Sequence, residues 1–600
     1  MKVRGLARIL ALACLALFLG RTFHKGWNID ESDFPNYYTA AVLVRHGEPL
    51  VKYYDWAWFQ RQMNFAGIEE PLGTYIPQTP LTMLPLVPVA GFPAQTAKRI
   101  WLSVNLIFLI GGVWLLSRIT SFRFEHIALI LFAGYGTLQS NFLLGQYYIF
   151  LFFLLTLAFY FLQQKQWALS GAICGAVFAL KLYGAPFLVY FAARRNWRAV
   201  AGMVGVIAFS AGVAVALFGW HDVNYFLRDI LARAVDGDAG NPYHSATGTL
   251  TALLRRLFLR EPELNPNPVW SAPWLFFFLR PFATIAILVY ATAGVAANRM
   301  ELDRRAFAWF IIATLCAAPN LGSYAFILFL PPIVLLMEDA GKRERILLVA
   351  TYVLLGFPLR LEWTPAFPKL WIFLALFFGV GWSFWRALRA RVAIALAVGV
   401  ILLASIDARR HLTSYGSEPG RRFEQVMLRQ GPAANLTSAF AVSQAGIFCQ
   451  VIADGRYLLV WLHDGQSQKL RFDGEAFHPV AVAKDGPIYF ELITHGRSTA
   501  MAFDPSTGSA GPAVLPDGVS NTDAVVSPDQ KWVAFEVKAD GGRQIWLRRA
   551  GSDRAEQLAG GKCVNTSPAW ELDSKTVLFT SDCQRGIGLP ALYRATVVGQ

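Results

Sequence analysis

Charged residues are scarce in this sequence. Only 16% of the 600 residues are Asp, Glu, Lys or Arg, whereas 55% are hydrophobic and the mean hydropathy is +0.40. A soluble chain carries charge on about a quarter of its residues. The shortage excludes an ordinary soluble protein, and long apolar runs from residue 6 to about 407 predict a polytopic α-helical membrane protein.

Cysteine is also rare, with six residues in the chain. None of them is spaced as CxxC, so we expect no metal site. Cys14, Cys174 and Cys316 lie in apolar runs and are typical of inert packing residues. Cys563 and Cys583 both lie in the polar C-terminal tail, and a disulfide between them would require an oxidising compartment.

Several motifs of well-known chemistry are absent. The sequence has no nucleotide-phosphate loop, no HExxH and no nucleophile elbow. The net charge of +14 comes from Lys and Arg clustered in short segments between apolar runs. No basic face or nucleic-acid motif accompanies this charge, so we expect no nucleic-acid partner.

The apolar runs predict about 13 membrane-spanning helices. They cover roughly residues 6–23, 97–117, 125–143, 147–163, 167–180, 185–194, 198–219, 272–296, 305–318, 323–338, 344–357, 369–386 and 392–407. Several are shorter than the roughly 20 residues that a straight span needs, so these are broken or re-entrant, or their predicted bounds are wrong.

The loop charges predict the orientation of these helices. Lys and Arg cluster near the N-terminus and in every second loop, which places the N-terminus in the cytoplasm. An odd number of spans then places the tail outside, where a disulfide can form. We expect a multi-pass protein of the plasma (inner) membrane with three parts: a membrane domain (1–407), a linker (408–435) and an extracytoplasmic, periplasmic domain (436–600).

Five interruptions of the apolar runs fall on the predicted outer side. They are the loop 24–96, the segments 140–148 and 181–186, the loop 220–271 and the segment 318–324. Irregular backbone at membrane depth is tolerated only where it is buried in protein or lines a cavity. The sequence therefore predicts one outward-facing cavity that these segments share.

Two kinds of ionisable residue are candidates for chemistry. Lys181 lies in an apolar stretch, so it either binds an anionic group such as a lipid phosphate or snorkels to the interface. Asp33 precedes a helix of small residues, and it is a candidate general base for a sugar hydroxyl as well as a candidate N-cap. Asp30 is a second candidate base. The alternative for Asp30, Glu31 and Asp33 is an ordinary solvated loop.

Aromatic and polar residues supply candidates for substrate contacts. Tyr37 and Tyr38 can stack on a sugar ring, and Gln146 either contacts the substrate or marks a helix start. The later loops add His244, Asn320 and Tyr324 as ligand contacts, and Arg255 and Arg256 as a pair that attracts anionic lipid head groups.

These candidates lie in segments that resemble a known family. The segments are "DFPNYYTAA", "TYIPQTPLTMLPL", "GQYYIFLFFLL", "SGAICGAVFALKLYGAPFL" and "APNLGSYAFILFLPP". In their order and spacing they resemble glycosyltransferase family 87 (DUF2029) over roughly residues 5–400.

The resemblance implies a fold and a reaction. It implies a GT-C-like helical body with its site on the outer face, and transfer of a hexose, typically mannose, from a polyprenyl-phosphate donor. The acceptor is a hydroxyl on a glycan, lipid or protein. Asp33 is the implied base with Asp30 in reserve, and Gln146 and Lys181 match later family motifs. Many relatives carry a histidine near the position of Tyr324, but this chain has no histidine there. The leaving group is a monophosphate, so we expect no cofactor or metal requirement.

The tail contains a weak repeat. Four segments align on Asp454, Asp485, Asp529 and Asp573, and the last three of these aspartates are 44 residues apart. This is propeller-blade spacing, and "SPDQKWVAF" resembles the PD40 repeats of TolB-like β-propellers. About four blades fit, which is the lower limit for closure, so an incomplete propeller or one completed by a partner is the alternative.

Three functions compete. The first is a polyprenyl-phosphate-dependent glycosyltransferase with an extracytoplasmic propeller. The second is a membrane-anchored propeller that binds an envelope partner, attached to an inactive transferase-like body. The third is a transporter or flippase, and the absence of matched inverted half-repeats argues against it.

Overall fold

The computed structural model shows a helical N-terminal region and a β-sheet C-terminal region. It describes residues 2–29, 33–68, 74–238, 242–243, 248–298, 303–357, 367–386, 390–415, 419–426, 439–453, 456–481, 485–494, 497–513, 524–539, 542–552, 554–561, 563–583, 585–586 and 589–597.

The helices up to residue 193 include the short ones of the first long loop. They are α1 (Lys2–Phe18), α2 (His24–Asn28), α3 (Phe34–Arg45), α4 (Leu50–Tyr53), α5 (Trp56–Phe65), α6 (Ala94–Ile119), α7 (Phe124–Ala133), α8 (Tyr135–Leu144), α9 (Tyr148–Gln163), α10 (Trp167–Lys181) and α11 (Pro186–Ala193). A π-helical turn (Leu19–Phe23) joins α1 to α2, and a 3-10 helix covers Leu84–Val89.

The remaining helices end at residue 422. They are α12 (Trp197–Tyr225), α13 (Leu231–Val235), α14 (Leu250–Phe258), α15 (Pro273–Ala297), α16 (Asp303–Ala317), α17 (Leu330–Glu338), α18 (Lys342–Gly356), α19 (Pro368–Trp385), α20 (Ala390–Tyr415) and α21 (Pro419–Arg422). A π-helical turn (Phe226–Ile230) follows α12, and a 3-10 helix (Ser323–Phe329) precedes α17.

All thirteen predicted segments are helical, but fewer helices have the length of a membrane span. Within the described residues six helical stretches are long and apolar enough to cross a membrane, or seven if α7 and α8 form one span bent by 79°. The short apolar helices α9 and α10 fall below that length. The count of 13 spans is therefore not confirmed, whereas a multi-helix membrane region is.

The predicted boundaries of the loops and the linker change in the structure. The loop 24–96 contains α3, which is the predicted helix of small residues after Asp33, and also α4 and α5, which hydropathy missed because they are short and mixed in polarity. Helix α20 continues past residue 407 to Tyr415, and Glu424–Gln425 form a strand. The predicted linker 408–435 thus contains helical and strand segments.

The helix bundle has two distinct ends. We call the end that carries Asp33 the aspartate end, and the end that carries Arg194, Arg195 and Arg198 the arginine end. Helix α10 runs from Trp167 at the arginine end to Lys181 at the aspartate end, which at 1.5 Å per residue is about 21 Å. Helix α6 runs from Lys98, close to Asp33, to Ile119 at the other end of the bundle, and α7 begins there. Arg8 lies 3.5 Å from Glu125, in the first turn of α7, so the N-terminus belongs to the arginine end.

The C-terminal region consists of sixteen strands within the described residues. They are β1 (Glu424–Gln425), β2 (Ala439–Ser443), β3 (Gly446–Ala453), β4 (Arg456–His463), β5 (Gln466–Leu470), β6 (Glu475–Ala481), β7 (Ile488–Thr494), β8 (Arg497–Asp504), β9 (Ser509–Pro512), β10 (Ala524–Val526), β11 (Trp532–Ala539), β12 (Gly542–Arg549), β13 (Ala555–Ala559), β14 (Asn565–Trp570), β15 (Thr576–Ser581) and β16 (Ala591–Thr596).

The strands form four antiparallel sheets of four strands each. Sheet 1 is β2-β3-β4-β5, sheet 2 is β6-β7-β8-β9, sheet 3 is β10-β11-β12-β13 and sheet 4 is β14-β15-β16-β1. The outermost strand of sheet 4 thus comes from the start of the region, since Glu424 pairs with Arg594 and Gln425 with Tyr593. This pairing ties the two ends of the β region together.

Shared hydrophobic clusters give the spatial order of the sheets. Phe448 of sheet 1 packs with Phe490 of sheet 2, and Cys449 of sheet 1 packs with Leu578 of sheet 4. Sheets 3 and 4 share a further cluster. The order is therefore sheet 2, 1, 4, 3, and among the described residues no buried cluster joins sheet 2 to sheet 3.

The sheets correct the predicted alignment of the first repeat. Asp485, Asp529 and Asp573 all follow the first strand of their sheet, and Asp573 accepts the backbone N–H groups of Lys575 and Thr576 at 2.8 and 2.9 Å. Asp454, which lies outside the described residues, falls between the second and third strands of sheet 1. The equivalent turn of sheet 1 is at residues 444–445, which carry no aspartate and so were missed.

Buried ion pairs attach the β region to the aspartate end. Arg585, which is fully buried, lies 2.7 Å from Glu261 and 2.9 Å from Glu263. Arg233, at the end of the long helical stretch that begins with α12, lies 3.3 Å from Asp582. These contacts place the β region at the end opposite to the N-terminus.

Candidate functional site

The site begins at the start of α3. Pro35 lies in the first turn, where proline is favoured because its missing N–H has no helical partner to lose. Asp33 occupies the N-cap position, but its side chain makes no cap hydrogen bond, which corrects that part of the prediction. Asp33 and Tyr37 are one helical turn apart and therefore share a face of the chain.

A glycine turn brings Gln146 to that face. Helix α8 ends where Gly145 adopts a left-handed backbone with φ +64°, which glycine tolerates without steric cost. A Cβ at Gly145 would lie 2.7 Å from Cβ of Phe34, so the turn also packs directly on the start of α3. Gln146 and Tyr147 thus fall in the break between α8 and α9, next to Asp33.

Lys181 is held at the site by a separate segment. The hydroxyl of Thr82 donates to the carbonyl of Leu180 at 2.7 Å, and Thr79 donates to the carbonyl of Ala179. These carbonyls belong to the last turn of α10, where they lack helical partners. The contacts fix Gln78 beside Lys181, and the Gln78 side-chain oxygen accepts a hydrogen bond from the ammonium.

Four side chains form one hydrogen-bonded chain, which we call the site chain. The Lys181 ammonium donates to the Tyr37 hydroxyl at 2.9 Å, and this hydroxyl donates to Oε1 of Gln146 at 2.9 Å. The amide of Gln146 then donates to Oδ2 of Asp33. All three donors point toward Asp33, so each bond polarises the next and the carboxylate end is stabilised.

Tyrosine rings surround the ammonium of Lys181. Its Nζ lies 4.8 Å from the ring centre of Tyr37, 5.9 Å from that of Tyr147 and 5.8 Å from that of Tyr148. Such ring faces attract a cation electrostatically. The ammonium is thus held inside the site, which argues against snorkelling, and its three N–H groups exceed the two acceptors described here.

Exposure differs across the site. Tyr37, Gln146 and Tyr147 are buried, whereas Asp33 and Lys181 are partly exposed. Burial raises the pKa of Asp33 above its usual value, and the hydrogen bond from Gln146 and the charge of Lys181 oppose this rise. A carboxylate with a raised pKa is a stronger base once it has lost its proton.

Tyr324 and Asn320 border the same cluster. The ring of Tyr324 lies 4.9 Å from that of Tyr148, and the backbone carbonyl of Asn320 accepts from the Tyr183 hydroxyl at 3.4 Å. Tyr183 in turn lies 3.3 Å from the Tyr148 hydroxyl. The structure thus brings the predicted segments 140–148, 181–186 and 318–324 together around the site chain.

Other predicted residues lie elsewhere. Tyr38 donates to the carbonyl of Phe92 at 2.8 Å and stacks on Phe34, so it does not join the site chain. Arg255 forms a buried ion pair with Asp238, and Arg256 is half-buried on the same helix, α14. Asp30 and His244 lie outside the described residues.

The structure adds residues that the sequence analysis did not select. Gln78 and Tyr147 contact Lys181, and the buried Lys98 donates to the carbonyl of Ile29 at 2.6 Å, close to Asp33. Gln78 lies in "TYIPQTPLTM", and Tyr147 in "GQYY", so both motifs had been noticed. Lys98 could have been selected from the sequence, because it is a lysine at the start of a long apolar run.

Two further features bear on cofactors and covalent structure. Across the residues that the structure describes, no group of three or more His, Cys, Asp or Glu side chains is arranged to hold a metal ion. Cys563 and Cys583 form a disulfide. The disulfide flanks Asp582 and lies next to Arg585, the two β-region residues that contact the helical region through buried ion pairs.

Two solved structures are similar to part of this chain. The putative TolB from Agrobacterium tumefaciens is 14% identical, with a TM-score of 0.13, over 23% of this chain and 50% of that chain. TolB from Acinetobacter baumannii is 13% identical, with a TM-score of 0.14, over 27% of this chain and 44% of that chain. This chain covers half or less of both structures, and TM-scores of this size do not establish a common fold. No curated protein matches the chain.

A family match covers the centre of the chain. The model of glycosyltransferase family 87 matches residues 76–331, which include Gln78, Gln146 and Lys181, whereas Asp33 and Tyr37 precede the matched range. Three of the contacting side chains therefore lie in the segment that carries the match. The resemblance found in the sequence is confirmed: over residues 76–331, this membrane protein is similar to glycosyltransferase family 87.

Proposed function

We propose that this protein is a membrane hexosyltransferase that uses a polyprenyl-phosphate sugar, with a mannose-like hexose, and transfers the sugar to a hydroxyl acceptor. The observation that supports the proposal most strongly is the site chain, which connects a cation to a partly exposed carboxylate. The match to a glycosyltransferase family supports sugar transfer as the reaction.

Each end of the site chain has a chemical role in this proposal. Asp33 removes the proton from the acceptor hydroxyl as its oxygen forms a bond to the anomeric carbon. The bond from that carbon to the phosphate oxygen breaks, and the phosphate leaves with the electron pair. Lys181 stabilises the negative charge that develops on this phosphate.

The intermediate residues position the two ends. Tyr37 and Gln146 separate Lys181 from Asp33, so the cation and the base are held apart rather than neutralised as a direct pair. A donor phosphate and an acceptor hydroxyl need such a separation, because the anomeric carbon lies between them. Tyr324 and Asn320 border the site and are proposed substrate contacts.

The proposal also covers the membrane orientation and the β region. We place the aspartate end on the outer side of the plasma (inner) membrane, as the positive-inside rule favours for the end opposite the arginines. A lipid-linked donor in the outer leaflet then presents its sugar to Asp33. We further propose a GT-C-like body with its predicted 13 helical passes and a four-bladed propeller, supported by the pairing of β1 with β16.

The test is sugar transfer from a panel of radiolabelled polyprenyl-phosphate sugars. Membrane vesicles carrying wild type, Asp33→Asn and Asp30→Asn are compared, with Glu48→Gln, at the other end of α3, as a control carboxylate. We expect Asp33→Asn to lower transfer by about 100-fold or more, the usual range for a general base, and Glu48→Gln to leave it unchanged.

The other outcomes separate the alternatives. A collapse with Asp30→Asn alone would assign the base to Asp30. Transfer that neither Asp variant affects would keep the enzyme but overturn this site. Folded wild type that transfers no sugar of the panel, while its β region captures an envelope partner, would favour the scaffold function.

A further inference from the structure

A cavity lies at the arginine end of the helix bundle, away from the site chain. Its volume is about 540 Å³, and it is formed where α9, α10, α11 and α12 end or begin. Trp167 lines it at one end of α10, whereas Lys181 of the site chain is at the other end of this helix, about 21 Å away. The cavity is therefore a separate site.

Three arginines line this cavity. Arg194, Arg195 and Arg198 come from the turn between α11 and α12 and from the first turn of α12. No carboxylate is among the lining residues that the structure describes. Guanidinium groups match phosphate oxygens in shape as well as charge, so these arginines suit a phosphate group.

Backbone donors add to the positive charge. Helix α12 begins at the cavity and runs without a break to Gly219, and its N-terminus carries partial positive charge. The Asn196 side chain accepts from the Ala199 N–H at 3.3 Å, and the amides of Trp197 and Arg198 before it have no acceptor within the helix. The arginines and this helix start thus favour the same anionic ligand.

The rest of the cavity lining is mostly apolar. Leu162, Tyr190 and Phe191 are buried, whereas Trp167 is partly exposed and Trp197 is 65% exposed. Tryptophan is enriched at the level of lipid head groups, and all four helices are apolar beyond this point. A ligand that fits this lining has a phosphate group next to hydrocarbon.

We propose that this cavity binds the phosphate of an anionic lipid head group. The arginines contact the phosphate, the tryptophans contact the glycerol and upper acyl region, and the site is at the arginine end of the helix bundle, opposite the aspartate end. The proposal is independent of the proposed reaction, since no residue of the site chain contributes to the cavity.

Native mass spectrometry of the full-length protein in detergent tests the lipid site. The protein is equilibrated with equal amounts of phosphatidylglycerol and phosphatidylcholine, and bound copies of each are counted. We expect wild type to retain phosphatidylglycerol selectively and R195Q/R198Q to lose at least about tenfold in affinity, from roughly fivefold per basic residue. R118Q/R123Q removes the same charge at the same end outside the cavity and should behave as wild type.

Three results would overturn the proposal. The first is wild type that binds phosphatidylglycerol and phosphatidylcholine equally. The second is an equal loss of phosphatidylglycerol affinity in both double variants. The third is displacement of the lipid by soluble glycerol phosphate at equal concentration, which would assign a soluble ligand. If a variant misfolds, wild type can be cross-linked to a photoactivatable phosphatidylglycerol instead. Cross-links within residues 162–198 support the site, and cross-links confined to other segments contradict it.

Discussion

At the scale of single residues, the site depends on how Asp33 and Lys181 are kept apart. Each is surrounded by groups that favour its charged form, an amide donor for the carboxylate and tyrosine rings for the ammonium. Burial acts in the opposite direction on Asp33 and raises its pKa. The balance leaves a base whose proton affinity exceeds that of an ordinary aspartate.

The pH dependence of transfer follows from this balance. As the medium is acidified, Asp33 takes up its proton at a higher pH than a free carboxyl does, so the acid limb of the rate profile lies above the ordinary aspartate range. Gln146→Met removes the hydrogen bond that lowers this pKa. We expect the acid limb to move to still higher pH and transfer at neutral pH to fall by roughly 10- to 100-fold.

The measurement is a profile of kcat/KM against pH for both proteins. Gln164→Met, an exposed glutamine at the arginine end, is the matched control and should leave the profile in place. An unchanged acid limb in Gln146→Met would show that Asp33 is not the group that titrates.

The candidate site was partly predictable from residue types. A lysine in an apolar run and an aspartate at a membrane exit are costly enough to signal function, and both residues belong to the site chain. Arg255 was predicted from an amphipathic stretch to attract anionic lipid head groups, but it pairs with Asp238, 17 positions earlier, a contact that the helical pattern does not reveal. Gln78 was missed because an amide in a loop has no distinctive pattern.

At the scale of elements, the segment 74–83 positions α10. Its threonines donate to two carbonyls at the end of α10, next to Lys181. Hydropathy predicted α10 almost to the residue, but it could not predict this contact because the segment itself is neither helix nor strand.

We expect Thr79→Val with Thr82→Val to loosen this attachment. The two lost hydrogen bonds should lower the free energy of unfolding by about 1–3 kcal/mol and reduce sugar transfer, since Gln78 is no longer held beside Lys181. Thermal unfolding and transfer are measured together. Thr351→Val on α18 removes a hydroxyl bonded within its own helix and serves as the control. Full transfer by the double variant would contradict a positioning role for the segment.

Span counting shows the limit of hydropathy at this scale. The thirteen apolar segments are all helical because their composition determines their secondary structure. Whether a helix of 15 or 16 residues crosses a membrane depends instead on its tilt, its neighbours and the helices before and after it. The sequence therefore predicted the helices well, whereas the number of crossings stays a prediction.

At the scale of the whole molecule, buried charges attach the β region to the helical region. The repeat spacing predicted four similar units, and four sheets are present. Their order in space and their contact with the aspartate end were not predictable, because both depend on residues hundreds of positions apart, such as Arg585 and Glu261.

Arg585→Met tests this attachment. The substitution leaves the buried Glu261 and Glu263 without their cation, so we expect the free energy of unfolding to fall by about 3–5 kcal/mol and protease cleavage to release the β region. Arg594→Met breaks a partly exposed pair with Glu571 and should cost under about 1 kcal/mol. Equal stability of the two variants would show that the buried pairs do not hold the regions together.

The same ion pairs affect how deletions of the β region should be designed and how the two regions evolve. A gene shortened before the β region would encode a helical body with Glu261 and Glu263 unneutralised, and its inactivity would reveal only a folding defect. A deletion variant that tests the function of the β region should therefore also replace both glutamates with glutamine. Two regions that share buried opposite charges also cannot be exchanged singly between relatives, so we expect recombination to have passed them on as one unit.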